Sequence, residues 1–284
     1  MKVLVLGSSG LIGSAIFRVL SERSDWKVFG SIRSDSIRSF FPKVNADNLI
    51  SNIDINNFSS VIYAIETIKP DVVINCIGGT KHKKEGNNPL YAIELNALLP
   101  HRLAQLCEQV QARFIHISTD CVFSGTKGMY KESDNPDAND VYGRSKALGE
   151  VSYGNALTLR TSTIGHELQS HNGLLNWFLS QNESCKGFDK AIFSGLPSVV
   201  FAKIIRDAVL ENKKLTGLYH VAAKPINKYE LLKLIAAVYK KAIHIEADDS
   251  LIIDRSLDAS KFNQVIGYNP LDWESLINTM YQYQ

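Results

Sequence analysis

Tyr142 and Lys146 stand four residues apart at the start of a predicted helix over 141–153, so both side chains share one face. A free tyrosine has a pKa near ~10 and is a poor proton donor or acceptor at neutral pH. A lysine cation beside it favours the phenolate and draws that pKa towards the working range. Upstream, the run Arg113-Phe-Ile-His-Ile-Ser118 is short, apolar and β-rich, and reads as a buried strand. Thr119 then lies at the mouth of that strand, where open α/β sheets hold their ligands. Its hydroxyl could hold a carbonyl oxygen beside the Tyr142 phenol, with proton transfer to that oxygen accompanying hydride delivery to the carbon. A Tyr-x-x-x-Lys pair alone is common on helix surfaces. It gains meaning from the strand-borne threonine and from a cofactor site elsewhere in the chain.

The first thirteen residues supply such a site. Lys2–Leu6 is an apolar strand, Gly7-Ser-Ser9-Gly10-Leu11-Ile12-Gly13 follows directly, and Leu11, Ile12, Ala15, Ile16, Val19 and Leu20 then fall on one helical face. In a dinucleotide-binding turn Gly7 permits the tight bend, Gly10 lets backbone approach a pyrophosphate, and Gly13 packs the helix against the sheet. The helix amino terminus offers N–H groups and a positive dipole end to phosphates. The second strand, 26–32, ends in Arg33 and Ser34 rather than in an acidic residue that would accept hydrogen bonds from an NAD ribose. An arginine there suits a 2′-phosphate, so NADP(H) is the expected cofactor.

Two blocks, Ser118-Thr-Asp-Cys-Val-Phe-Ser-Gly125 and Val141-Tyr-Gly-Arg-Ser-Lys-Ala-Leu-Gly-Glu150, resemble signature segments of the extended short-chain dehydrogenase/reductases, in particular the dTDP-4-dehydrorhamnose reductases. The Gly-x-x-Gly-x-x-Gly spacing is also that of the short-chain family, and the resemblance covers essentially the whole chain. It implies Thr119, Tyr142 and Lys146 as a catalytic triad, with the lysine also binding the nicotinamide ribose. It places Asp54 and Ile55 against an adenine ring and Cys76, Ile77 and Gly78 along the cofactor. It assigns Thr80, Asp120, Val122, Phe123 and, more weakly, Arg255 to a nucleotide-diphosphate sugar, and makes Asn96 and Arg160 structural. One departure is Cys121, where a tyrosine is usual. A 4,6-dehydratase would carry an acid there, so dehydration is disfavoured. The implied activity is NADPH-dependent reduction of the 4-keto group of a nucleotide-linked 6-deoxyhexose, in deoxysugar and polysaccharide biosynthesis. Two rivals stand beside it: a nucleotide-sugar epimerase or epimerase-reductase, and a non-catalytic NADP-binding regulatory subunit like that of methionine adenosyltransferase.

The elements that must position these residues follow from pattern. A crossover helix is predicted over 59–68, a buried strand over 71–76, and a long helix over 91–110 that Pro100 should kink or interrupt. The polar stretch 123–140 reads as a substrate-side loop. Lys81-His-Lys-Lys84 could meet a diphosphate but reads more simply as a solvated loop. Beyond Gly165 the segments become shorter and more mixed. The expected architecture is a Rossmann-type doubly wound parallel sheet over 1–165 with a small mixed substrate lobe over 166–284 interleaved with it.

At 284 residues with 45% hydrophobic content the chain can bury a full core. A net charge of +2 gives no reason to expect nucleic acid or an anionic membrane as partner. Cys76, Cys107, Cys121 and Cys185 form no Cys-x-x-Cys pair and the histidines show no ligand-like spacing, so reduced thiols and no metal are expected. With neither a signal peptide nor a spanning apolar run, a cytoplasmic protein, alone or as a homodimer, is the expectation.

Overall fold

The computed structural model describes residues 1–79, 88–169 and 173–283. Seven parallel strands form the central sheet: β1 (Lys2–Leu6), β2 (Lys27–Ser31), β3 (Leu49–Ile50), β4 (Val72–Asn75), β5 (Arg113–Thr119), β6 (Leu157–Thr161) and β7 (Gly217–His220), in the order β7-β6-β5-β4-β1-β2-β3. The order reverses between β1 and β4, and both strands end there in glycine-containing turns. In doubly wound sheets this crevice is the ligand site.

Helices cover both faces because the strands alternate. Val3 and Val5 of β1, Ile115 and Ile117 of β5, and Leu157 and Leu159 of β6 point into one core with Ile16, Phe17 and Leu20 of α1 (Leu11–Leu20). Leu4, Leu6, Val73 and Phe114 point the other way, against Val61 and Ile65 of α2 (Phe58–Ile68) and Leu103 of α3 (Leu99–Gln109). The anticipated interruption at Pro100 takes a particular form. A wide π-helical turn over Ile93–Leu98 precedes α3, so the proline occupies its first turn, where a missing N–H costs nothing.

The helix expected over 141–153 is shorter: α4 runs Val141–Leu148. Gly149 caps its end, where a Cβ would lie 1.8 Å from the Asn96 carbonyl oxygen so that only glycine fits, and the chain then turns so that Glu150 reaches Arg160. Past Gly165 the chain returns to the main unit. The helix α5 (Ser198–Ile204) packs on α1, and β7 pairs with β6 at the sheet edge. The rest of the carboxy-terminal part makes small pairings, Ser184–Phe188 with His244–Asp248 and Ala191–Phe193 with Ile253–Asp254, over a core of Leu175, Phe178, Leu231, Ile235 and Ile277. No helix among the described residues is long and apolar enough to cross a membrane.

One buried ion pair ties these parts together. The Glu150 carboxylate accepts from Arg160 Nε at 2.7 Å, from Arg160 Nη2 at 2.6 Å and from Ser118 Oγ at 2.7 Å. Arg160 Nη1 lies 3.2 Å from His220 Nε2, and His220 Nδ1 lies 3.0 Å from the Tyr130 carbonyl oxygen. Removing one member of such a pair strands the other in a dry site. Arg160→Met should therefore lower stability by about 3–5 kcal/mol in urea unfolding; a change within ~0.5 kcal/mol, the range of ordinary surface substitutions, would show that the pair is not structural.

Candidate active site

The turn after β1 is tightly packed and braced. Gly7 has φ +82°, and its N–H donates to Ser31 Oγ at 3.0 Å, which braces the turn against β2. A Cβ on Gly13 would lie 2.1 Å from the Gly7 carbonyl oxygen, so only glycine lets α1 sit this close to the turn. Gly10 differs. A Cβ there would meet protein only at 3.5 Å, and no side chain caps the helix that it opens. The protein thus leaves free the space in which a phosphate would meet the first-turn N–H groups. Ser9, Leu11 and Ile12 border the same opening and are partly exposed.

Arg33 and Ser34 sit exposed just past the end of β2, with Ser34 Oγ capping a 3₁₀ turn at the Ser36 N–H. Asp54 and Ile55, partly buried, follow β3, and the Asp54 carboxylate accepts from the Asn56 N–H. Cys76, Ile77 and Gly78 leave β4 opposite the glycine turn; the Gly7 Cβ position lies 3.0 Å from Ile77 Cγ1. Burial pushes the Cys76 thiol up to about 12, against the pull of Lys146, so it stays a thiol.

On the other side of the crevice, Thr119 ends β5. Its Oγ1 accepts from the Cys121 N–H and donates to Asp120 Oδ1, both at 3.1 Å. Asp140 caps α4 by accepting from the Gly143 N–H at 2.7 Å. A Cβ on Gly143 would fall 2.2 Å from the Cys121 carbonyl oxygen, so this glycine lets α4 lie against the turn after β5. That contact brings the Tyr142 phenol into hydrogen-bonding reach of Thr119. One turn on, Lys146 is 4% exposed and donates through Nζ to the Ile117 carbonyl oxygen at 2.8 Å.

The electrostatics reverse one expectation. Burial pushes the Tyr142 phenol well above its ordinary value, with Cys121, Asp120 and Asp140 adding to the rise and the Thr119 hydrogen bond opposing it. Burial also lowers Lys146 to about 8, although Glu150 favours its charged form. The phenol is thus held as an acid rather than tuned towards a phenolate. Burial raises Asp120 too, with Arg255 opposing.

A family model, RmlD substrate binding domain, matches residues 1–283. The chain belongs to that family. Within it, probable low-salt glycan biosynthesis reductase Agl14 of Haloferax volcanii is 36% identical over 151 residues, which are 53% of this chain and 48% of that protein. The match therefore spans only about half of that relative's length. Methionine adenosyltransferase 2 subunit beta of Xenopus tropicalis is 26% identical over 84% of this chain and 72% of its own. The crystal structure of a hypothetical dTDP-4-dehydrorhamnose reductase from Sulfolobus tokodaii superposes with a TM-score of 0.79 at 27% identity, covering 96% of this chain and 98% of that one. The resemblance read from the signature blocks is thereby borne out at the level of family.

Against the family pattern the structure sorts the substrate-side residues. Arg255 donates through Nε to the Phe123 carbonyl oxygen at 2.7 Å, and its Nη1 lies 3.9 Å from Cys121 Sγ, so it flanks the Thr119–Tyr142 pair. Asp120 is 8% exposed beside them. Val122 and Phe123 do not fit the expectation of side chains that touch substrate. Both are fully buried, Phe123 stacking on Tyr130 with ring centroids 4.1 Å apart, and they form the packed wall behind Arg255. Thr80 and the basic run 81–84 lie outside the described residues. Four residues that position the site escaped the motif reading: Ser31, Asn75, His116 and Ser145. Asn96 joins Gly79 to Ser145, its Oδ1 accepting from the Gly79 N–H at 2.8 Å and its Nδ2 donating to Ser145 Oγ at 3.1 Å. A histidine inside an apolar strand was the one legible hint.

The raised phenol gives a direct test. Since its folded pKa lies above the ordinary 10.0, Tyr142 should stay protonated throughout the neutral range. Ultraviolet difference titration of the protein against Tyr142→Phe should show no tyrosinate assignable to Tyr142 up to pH ~10. A tyrosinate titrating near pH ~7 would contradict the geometry.

Proposed function

We propose that the protein is an NADPH-dependent reductase of the 4-keto group of a nucleotide-linked 6-deoxyhexose, serving deoxysugar or polysaccharide biosynthesis. The observation that carries this reading is the Thr119–Tyr142–Lys146 set beside an open glycine cradle at one sheet crevice. The bound cofactor would supply hydride to the carbonyl carbon. The pyrophosphate would rest at Gly10–Gly13, the adenine against Asp54 and Ile55, and the 2′-phosphate at Arg33 and Ser34. Thr119 would hold the carbonyl oxygen. Tyr142, kept as a neutral phenol, is in the protonation state needed to give that oxygen its proton during reduction. Lys146 would hold the nicotinamide ribose with its amine. Arg255 and Asp120 would face the nucleotide-sugar, and Cys121 leaves no second acid for dehydration.

An epimerase of the same family would draw on the same three residues, and the stereochemistry of the product separates it. The likeness to methionine adenosyltransferase 2 subunit beta favours a second reading, a dinucleotide-binding regulatory subunit. The two part on turnover. Tyr142→Phe should lower turnover by ~10²-fold or more with NADPH affinity kept. Arg33→Ala should weaken NADPH by ~10-fold or more while leaving NADH unchanged, as loss of a charge-assisted phosphate contact requires. Undiminished turnover in Tyr142→Phe would remove the mechanism, and equal effects on both cofactors would remove the assignment of NADP(H).

A further inference from the structure

His116 lies in the middle of β5 with Phe114 beside it on the same face and Ile115 and Ile117 on the other, and it is fully buried. Its register partner on β4 is Asn75, also fully buried. The orientation of the Asn75 amide is fixed by its other contact. Oδ1 accepts from the Ile77 N–H at 3.1 Å, so the group 3.1 Å from His116 Nδ1 is the Asn75 NH₂. An amide NH₂ can only donate, so Nδ1 must accept. A neutral imidazole that accepts at Nδ1 carries its proton on Nε2. The ring is kept neutral because burial, and then the charge of Lys146, oppose the imidazolium.

That tautomer has a consequence for the next group in line. His116 Nε2 lies 3.4 Å from Lys146 Nζ. An ammonium has three donors and no lone pair, so it offers nothing to an incoming N–H; an amine can accept it. The opposite tautomer would have given Lys146 an acceptor and stabilised its charge. We propose that His116 is a positioning residue for Lys146: fixed by Asn75 as the Nε2–H tautomer, it presents a donor to the lysine nitrogen and keeps that nitrogen able to release its proton. Glu150, just past the end of α4, pulls the other way and retains part of the charge, while Cys76, after β4, faces the amine as a neutral thiol. Tyr142 lies one turn earlier on α4. The role assigned to Lys146 above gives this device its use, but the device is a property of the resting protein.

Nuclear magnetic resonance on the protein without substrate tests it. With ¹⁵N-histidine, His116 should show the Nε2–H tautomer throughout the neutral range. With ¹³Cε-lysine, the resonance identified by its loss in Lys146→Met should titrate well below the ordinary lysine value of ~10.4. His116→Phe keeps a ring beside Phe114 but removes both nitrogens, and should raise that midpoint by about one pH unit. Asn75→Ala retains the histidine but frees its tautomer, and should raise the midpoint in the same direction. An Nδ1–H ring or an imidazolium at neutral pH, or an unchanged midpoint in the variants, would overturn the proposal. Because no turnover is read, these outcomes are independent of whether the protein reduces a sugar.

Discussion

The buried, bidentate Glu150–Arg160 pair is the contact on which the placement of the site depends. A carboxylate and a guanidinium are tolerable in a dry interior only when nearly all of their hydrogen-bonding capacity is met. Glu150 meets it with Arg160 and Ser118, and Arg160 with Glu150 and His220, whose ring continues to the Tyr130 backbone. These five residues belong to the end of α4, to β5 and β6, to β7 and to the loop after β5. The helix that carries Tyr142 and Lys146 therefore cannot shift without uncovering a charge. Close backbone contacts at Gly143 and Gly149 press the same helix onto its neighbours.

Charge and packing reach the carboxy-terminal part through the loop 123–140. Three backbone N–H groups, of Gly125, Thr126 and Lys127, converge on the Tyr130 hydroxyl, while the Tyr130 N–H donates to the Ser256 carbonyl oxygen and Gly125 packs on Ile253 and Arg255. Arg255 is thus delivered to the crevice by a fastened loop. The stacked Phe123 and Tyr130 rings, with the Arg160 guanidinium 5.0 Å from the Phe123 centroid, fill the space between the ion pair and the lobe.

Much of this was legible in the sequence because it depends on local chemistry. A strand followed by Gly7, Gly10 and Gly13, and a tyrosine four residues before a lysine, fix both halves of the crevice within short spans of chain. What escaped depends on pairings distant in sequence. That 217–220 returns to edge the main sheet follows from its ladder with β6. That only glycine fits where α4 ends follows from the Asn96 carbonyl pressed against Gly149. Val122 and Phe123 sit within a signature block, yet burial gives them to the core. Lys146 was expected to draw the phenol down, but burial raises it, with Cys121, Asp120 and Asp140 adding to the rise. His116 looked like part of an apolar strand, and only the register with Asn75 reveals a polar chain through the core to the lysine.

The central claim is that hydride reaches a sugar carbonyl carbon while Tyr142 protonates its oxygen. The most direct measurement follows the label from NADPH deuterated at the transferable nicotinamide position, with dTDP- and UDP-linked 4-keto-6-deoxyhexoses as acceptors. The account predicts deuterium bonded to C4 of the sugar product, no deuterium on the other ring carbons, and loss of this transfer in Tyr142→Phe. Tight NADPH binding with no deuterium transferred to any of these sugars would contradict it, and would mark the dinucleotide as a structural or regulatory ligand.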